Sequence, residues 1–353
     1  MSAPNTVSST ELRTRFAARL SSLYGDEVPA YKTLVEVSHE VNQRVISREG
    51  AAAERLGKVD RLLVVPDRDL FYLPFEALGD PQAPQSGPGG LLRRWSVSYL
   101  PSAAVLPHLE RETTSEWRLD FLAFADPPPV RPSPADVLRG DARSAPVPAD
   151  ALPALPGAQS EANRIADLLP AGRAKVHIGE DALESLLKSP QATAMVRRLH
   201  IASHGVIDKI DSEASYVLLA PDESEDGKLH LSEVFKLDLD AELVVLSGCE
   251  TALGPRLAGE GLLGLTRGFL YAGARDLVVS LWPVVDAETE ELMVDFYRRL
   301  DAGRSTAEAL REAKLARLDG GQVDPFLWAP FVVFGAPAPE GRSSVTFSSP
   351  SSP

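Results

Sequence analysis

One cysteine and one histidine come after two apolar runs of the chain, and their types and placement could support nucleophilic catalysis. Cys249, the single cysteine of the sequence, comes after the apolar run 243–246 and a Ser-Gly pair. His204 comes after a similar run at 199–202 and is followed by Gly205. A thiolate is the reactive form of cysteine, and a nearby imidazole can activate the thiol and carry its proton. The pair therefore predicts a cysteine nucleophile with a histidine partner.

The elements that position these two residues are predicted to be buried strands. A short apolar run that stops at serine or glycine is typical of such a strand. Open α/β sheets bind their ligands outside the carboxyl ends of the strands, so we expect Cys249 and His204 at that edge. Each residue taken alone has a plainer interpretation. A strand-end cysteine can be a small buried hydrophobe, and a lone histidine can be a hydrogen-bonded structural residue.

Composition and charge exclude several classes of function. The 353 residues are 44% hydrophobic, as in ordinary globular proteins, and carry a formal net charge of −14. This acidic balance, with no basic tract, argues against nucleic acid or an anionic membrane as a partner. The N-terminus has no apolar signal core, and no apolar stretch is long enough to cross a bilayer, so we expect a cytoplasmic protein. One cysteine excludes an intramolecular disulfide, and the six histidines lack metal-ligand spacing, so we expect no structural metal.

Patterning along the chain predicts five segments. Residues 1–58 have apolar positions at helical spacing, and 59–125 contain several strand-like runs. Residues 126–156 are rich in proline and alanine, which is typical of a linker or exposed loop. Strand and helix patterns alternate over 157–336, and the Pro/Ser-rich tail 337–353 is predicted to be disordered. Such alternation predicts an α/β fold with a mostly parallel sheet covered by helices on both faces. The helical spacing of the first segment is carried by Leu12, Phe16, Leu20, Leu34, Val37 and Val41.

Several motifs resemble, in order, those of the CHAT domain, a caspase-like family akin to separase. The motifs of the second half are LHIASHG (199–205), LSGCETA (246–252), GEGL (259–262), YAGA (271–274) and SLWPV (280–284). Those of the first half are VPD (65–67), LPFEAL (73–78), SYLPSA (98–103) and LPGA (155–158). The resemblance covers roughly residues 61–335 and is specific, because many motifs occur in the same order.

The resemblance implies a caspase-like, haemoglobinase-type sheet in which a degenerate pseudo-caspase half, 59–125, precedes the active half, 157–336. It also implies a clan CD cysteine endopeptidase with a catalytic dyad of His204 and Cys249. The backbone amides of Gly205 and Cys249 would form the oxyanion hole, and the chemistry needs no cofactor. The plainer interpretation of Gly205 is a turn glycine, as it is for Gly248.

The same resemblance suggests a class of substrate. We expect limited cuts in a protein partner, with a further protein as activator or inhibitor, in bacterial antiviral defence or regulated cell death. The Ala/Arg/Pro-rich composition is typical of a bacterial protein. The alternative is a non-proteolytic CHAT interaction or scaffold module that binds a regulatory partner. The presence of both His204 and Cys249 favours the enzyme.

Substrate specificity and control are two further expectations. In separases, the segment after a Leu-Trp pair carries the acid that reads a basic residue before the cut. Here Trp282 is followed by Asp286 and Glu290, which lie one helical turn apart, so the resemblance assigns these three to specificity. Alternatively, Asp286 caps a helix and Glu290 is solvated.

The activity of the enzyme could be controlled by one of two regions. One is the N-terminal helical segment, which could equally complete the core, and the other is the loop 251–260.

Overall fold

The computed structural model describes most of the predicted α/β region. The described residues are 59–66, 71, 73–78, 89–109, 116–128, 154–206, 215–247, 258–282, 284, 286–322 and 324–335. The predicted N-terminal helical segment, most of the linker, the C-terminal tail and Cys249 with its preceding Gly248 lie outside these residues. No helix in the described ranges is both long and apolar enough to span a membrane.

Strands of the described chain form two sheets. The larger sheet contains β1 Arg61–Val64, β2 Ser96–Tyr99, β3 Phe121–Ala125, β4 Ala174–Ile178, β5 Arg198–Ala202, β9 Leu243–Ser247, β10 Asp276–Ser280 and β11 Phe331–Gly335. Its strand order is β1-β2-β11-β10-β9-β5-β3-β4. The smaller, antiparallel sheet contains β6 Gly205–Val206, β7 Tyr216–Leu218 and β8 Lys228–His230. The small sheet comes directly after β5 in the chain, next to His204.

The large sheet consists of two blocks of strands that run in opposite directions. Strands β10 and β11 are antiparallel, whereas every other neighbouring pair in this sheet is parallel. The five-strand block, β4, β3, β5, β9 and β10, therefore points one way, and the three-strand block, β11, β2 and β1, points the other. The predicted mostly parallel α/β sheet is confirmed. Only the five-strand block places its carboxyl ends at the edge where His204 lies.

Helices cover the large sheet. They are α1 Gly90–Arg94, α2 Leu106–Leu109, α3 Pro156–Ala166, α4 Glu184–Lys188, α5 Pro190–Thr193, α6 Leu231–Val234, α7 Ala258–Tyr271, α8 Asp286–Asp301, α9 Thr306–Asp319 and α10 Pro325–Trp328. Helix α9 begins with a capping box, because Ser305 Oγ accepts the Glu308 N–H and the Glu308 carboxylate accepts the Ser305 N–H. The sequence predicts this cap from the same two residues.

Apolar cores lie on both faces of the large sheet. Successive side chains of a strand point to opposite faces, so Val244 and Leu246 of β9 pack with Phe269 of α7. Leu243 and Val245 pack on the other face, with helices α3, α8 and α9. All five residues of β9 are buried. A strand covered on both faces needs a continuous apolar run, which is the pattern that the sequence has before Cys249.

A buried ion pair joins the three-strand block to α9. Lys314 Nζ lies 3.1 Å from Glu76 Oε1 and donates to the Phe331 carbonyl at 2.5 Å. The Tyr99 hydroxyl donates to Glu76 Oε2 at 2.6 Å. Burial lowers the pKa of Lys314 and raises that of Tyr99. Because the charges are removed from water, loss of one partner leaves the other uncompensated, which typically costs about 3–5 kcal/mol.

Strand β3 lies away from the other strands of the predicted first half. It pairs with β5 on one side and with β4 on the other, both from residues 157–336. Strands β1 and β2 lie at the far side of the same sheet. Both predicted halves thus contribute to one sheet, and the boundary at residue 125 separates β3 from the strands with which it pairs. Strand β3 is thus separated from β2, the strand before it in the chain, by β11, β10, β9 and β5.

Candidate active site

The strands that precede His204 and Cys249 are neighbours in the sheet. Strands β5 and β9 pair in parallel, with Ala202 opposite Ser247. His204 and Cys249 each come two residues after these paired positions. Cys249 itself lies outside the described residues.

The main chain around His204 is held by the small sheet. His204 is buried, with 3% of its surface exposed. Its carbonyl accepts the Leu218 N–H of β7 at 2.8 Å. Ser203 donates its N–H to the Ser247 carbonyl at 3.0 Å and its hydroxyl to the Leu218 carbonyl at 2.6 Å. The turn that carries His204 is therefore bonded to both β7 and β9.

Gly205 begins β6 and faces Val217 of β7. The Leu218 N–H donates to the His204 carbonyl, so Gly205 and Val217 form a non-hydrogen-bonded pair of the antiparallel ladder. In such a pair, the Gly205 N–H points away from β7. An amide in this orientation can donate to a ligand oxygen at the strand-end edge, as the oxyanion-hole interpretation requires.

Trp282 is part of the core at the end of β10. It is 2% exposed, and its ring stacks on Phe326 with the centroids 5.9 Å apart. Its indole N–H donates to the Phe326 carbonyl at 3.1 Å, and Ser280 Oγ donates to the Trp282 carbonyl at 2.9 Å. These contacts fix the start of the segment that joins β10 to α8.

Glu290 binds α3 from the first turns of α8. Arg164 lies 2.5 Å from its carboxylate, and Ser160 Oγ donates to it at 2.9 Å. The positive charge of Arg164 weakens the attraction of Glu290 for a basic ligand. Asp286 is the first residue of α8, and the structure describes its backbone only. The specificity role of the two acids stays a prediction.

Asp126 is a residue of this edge that the sequence analysis missed. It comes directly after β3, has a φ of 47°, and donates its N–H to the Ala202 carbonyl at 3.0 Å. Its carboxylate accepts the Leu155 N–H at 2.7 Å and the Gln159 amide at 2.6 Å. Asp126 therefore holds the two ends of the predicted linker together. The signal in the sequence was a polar residue at the end of a continuous apolar strand.

A cluster of carboxylates around Lys188 holds the small sheet in place. Lys188 Nζ lies 2.5 Å from Glu225, 2.8 Å from Glu233 and 3.3 Å from Glu184. Glu184 also accepts the Gly227 N–H at 2.8 Å, and burial raises its pKa to about 6. Three carboxylate oxygens within 4.8 Å of one another resemble a metal site, but the Lys188 ammonium already supplies their counter-charge. We interpret the cluster as a structural link between α4, α6 and the β7–β8 turn.

Comparison with protein families now identifies the fold family. The model of the CHAT domain matches residues 32–336. The chain belongs to the CHAT domain family. The resemblance of the sequence motifs is thereby confirmed. The match begins at residue 32, and so it also includes part of the predicted N-terminal helical segment of this CHAT protein.

Curated relatives of this CHAT protein match over short stretches. Tetratricopeptide repeat protein 28 of Mus musculus is 37% identical over 125 residues, which cover 35% of this chain and 5% of that protein. The 2-oxoadipate dioxygenase/decarboxylase of Mycobacterium tuberculosis is 48% identical over 62 residues, covering 18% of this chain and 15% of that protein. The chain thus spans a small fraction of the length of these relatives.

Two solved structures have a similar chain course over most of this protein. Separase in the Saccharomyces cerevisiae separase–securin complex is 15% identical, with a TM-score of 0.47, and the match covers 95% of this chain and 23% of that chain. The Arg-specific cysteine proteinase gingipain R is 10% identical, with a TM-score of 0.49, covering 92% and 74%. At such identities the likeness concerns the fold alone.

Proposed function

We propose that this CHAT protein is a cysteine endopeptidase that makes limited cuts in a protein partner. The observation that carries the proposal is the register of β5 and β9, which pairs the residues two positions before His204 and Cys249. Both residues thereby come after neighbouring parallel strands, at the edge where α/β sheets bind ligands. Membership of the CHAT family supports the same chemistry.

The proposed reaction uses protein groups alone. The Cys249 thiolate attacks the carbonyl carbon of the scissile peptide, and the negative charge moves to the carbonyl oxygen. The N–H groups of Gly205 and Cys249 stabilise this oxyanion. His204 protonates the leaving amine as the C–N bond breaks, which leaves a thioester. Water then gives a proton to His204, attacks the thioester and releases the acid and the thiolate.

Specificity in this proposal comes from the segment after β10. Asp286 supplies the negative charge that attracts an arginine or lysine before the cut. Glu290 contributes less, because Arg164 and Ser160 already bind its carboxylate. Trp282 fixes the course of the segment through its packing on Phe326.

Labelling with a peptidyl acyloxymethyl ketone that carries arginine next to the reactive group tests the proposal. We expect one label on wild-type Cys249, and none in Cys249→Ala or His204→Ala. His177→Gln is the matched control, because His177 is also a buried strand histidine but lies on the edge strand β4. This control should label like the wild type. Folded wild-type protein that resists the label, together with substrates that stay intact, would contradict the endopeptidase.

A second candidate is a non-proteolytic module that binds a regulatory partner. The match to tetratricopeptide repeat protein 28 favours it, because that protein is named for repeats and not for an activity. Copurification with Cys249→Ala distinguishes the two candidates. A bound protein that wild type cleaves is a substrate, whereas a protein that both forms bind intact is a regulatory partner. A bacterial, cytoplasmic role in defence or regulated cell death is our proposal for the setting of the reaction.

A further inference from the structure

Ser203 makes bonds to two different strands beside the candidate dyad. Its N–H donates to the Ser247 carbonyl of β9 at 3.0 Å, and its hydroxyl donates to the Leu218 carbonyl of β7 at 2.6 Å. The residue is fully buried, with 0% of its surface exposed. Ser203 therefore connects the strand that precedes Cys249 with the small sheet, directly before His204.

Leu218 binds both Ser203 and His204. Its N–H donates to the His204 carbonyl at 2.8 Å, while its own carbonyl accepts the Ser203 hydroxyl. One bond reaches the Ser203 side chain and the other reaches the carbonyl of the peptide after His204, so the two bonds hold the backbone on both sides of the Ser203–His204 peptide. The Cα of His204 lies between these two points of attachment, so its side chain starts from a defined position.

The position of Leu218 is fixed by contacts that do not involve Ser203. The next residue, Leu219, donates its N–H to the Gly227 carbonyl at 2.8 Å, and Ala220 donates to the Ala182 carbonyl at 2.8 Å. Lys188 additionally joins the β7–β8 turn to α4 through Glu225. The small sheet is thus held in place independently of Ser203, and the Ser203 hydroxyl bonds the end of β5 to it.

From this geometry we infer that Ser203 is a positioning residue for the dyad, and the inference rests on the proposed peptidase function. Its hydroxyl holds the main chain of His204 in the position from which the imidazole acts in the proposed reaction. Ser203 does not touch the substrate in this role. A displacement of about 1 Å in a catalytic group can cost about 100-fold in rate, so loss of one such bond should affect turnover more than binding.

The test is Ser203→Ala, with peptide turnover and the pH dependence of Cys249 alkylation by iodoacetamide as measurements. We expect kcat to fall about tenfold or more with KM changed less than about threefold. Alkylation below about pH 7 should slow toward the rate of His204→Ala, because the imidazolium no longer stabilises the thiolate. A purely structural serine would leave both the kcat/KM split and this pH profile unchanged.

Thr193→Val is the matched control for loss of a buried hydroxyl. Thr193 is 5% exposed and donates its hydroxyl to the Ser189 carbonyl at 3.0 Å, on α5 and away from the dyad. It should keep the wild-type kcat. Ser203→Thr retains a hydroxyl at the site and should recover most of the turnover. If Ser203→Ala does not fold, the Ser203→Thr variant tests the inference. A folded Ser203→Thr protein with a tenfold lower kcat would overturn it.

A folded Ser203→Ala variant with wild-type kcat and alkylation profile would also overturn it. Failure of the proposed function gives a different result. In that case the wild type itself shows neither turnover nor alkylation that depends on His204.

Discussion

The five-strand and three-strand blocks share one sheet but differ in the residues at the carboxyl ends of their strands. In the five-strand block, β3 is followed by Asp126 and β5 by Ser203 and His204, although β10 is followed by the apolar Leu281 and Trp282. In the three-strand block, β1 and β2 are each followed by an apolar residue and a proline, at 65–66 and 100–101. The second block also points its carboxyl ends to the opposite edge. Strand direction therefore decides which block can form a site, whereas both blocks contribute to the cores.

The dyad should show the largest effect on the active side of this comparison. Cys249→Ala and His204→Ala should each lower kcat/KM by about 1,000-fold or more, because each removes a group that acts in the chemical step. Peptide hydrolysis and thermal unfolding of the same samples measure the effect. The unfolding temperature should stay close to that of the wild type, since a strand-end thiol adds little to packing. Wild-type activity in Cys249→Ala would contradict the proposal that the protein is a cysteine peptidase.

Substrate preference should depend on the same block. A peptide library should show preference for arginine or lysine before the cut. Asp286→Ala should reduce kcat/KM for such peptides by about 10- to 100-fold, because it removes the opposite charge. Glu290→Ala should have a smaller effect, since Arg164 binds that carboxylate. A clear preference for aspartate or for an apolar residue would contradict the assignment.

The three-strand block should affect stability but not chemistry. Lys314→Met leaves Glu76 buried without its cation, so the free energy of unfolding should fall by about 3–5 kcal/mol. Adding Glu76→Gln should restore part of that loss, because no unpaired charge remains. Urea denaturation measures the stability, and active-site titration with the ketone label gives activity per folded molecule. A drop in kcat per titrated site would show that this block has a functional role after all.

A smaller, pH-dependent effect is expected where the two blocks meet. Asp276 begins β10, beside β11, and accepts a hydrogen bond from Thr306. Burial, with a contribution from Glu242, raises its pKa from 3.8 to about 7. The folded state therefore binds the proton more tightly than the unfolded state. The free energy of unfolding should fall as the pH rises from about 4 to about 7, by at most about 1.4 kcal/mol per pH unit.

Asp276→Asn tests this linkage. The variant should remove that part of the pH dependence, and its gain over the wild type should be larger at pH 8 than at pH 4.5. Urea denaturation at the two pH values is the measurement. Equal pH dependence in the two proteins would show that Asp276 is ionised in the folded state at neutral pH.

The apolar runs of the sequence predict the central strands well, but not their arrangement. β9 and β11 are buried on both faces, and their uninterrupted apolar residues predict them directly. β4 has no such run, because it is an edge strand and is half-exposed, and the strands of the small sheet are only two or three residues long. The reversal between β10 and β11 was not predictable, because the direction of β11 depends on how α8, α9 and α10, which connect the two strands in the chain, pack on the sheet.

The sequence predicts those residues of the candidate site that are recognisable from their own stretch of chain. The sequence predicts a buried strand before His204, and the structure has β5 there. It also predicts a buried strand before Cys249, and the structure has β9 at that place in the chain. Ser203 and Asp126 were missed because their roles depend on which strands are neighbours. Ser203 needs β7 and β9 beside it, and Asp126 needs α3 to begin where β3 ends. Such partners, distant in the chain, leave no periodic pattern in one sequence.

From the hydrogen bonds of Asp126 we expect this CHAT protein to tolerate an insertion between residues 126 and 155. Because its carboxylate binds the Leu155 N–H at 2.7 Å, the chain leaves and re-enters the domain at nearly the same point. Lengthening a loop with fixed ends costs only about 0.6 kcal/mol per doubling. A folded reporter domain inserted near residue 140 should therefore leave the sheet intact, and its points of attachment would follow Asp126, which binds the carbonyl at the end of β5.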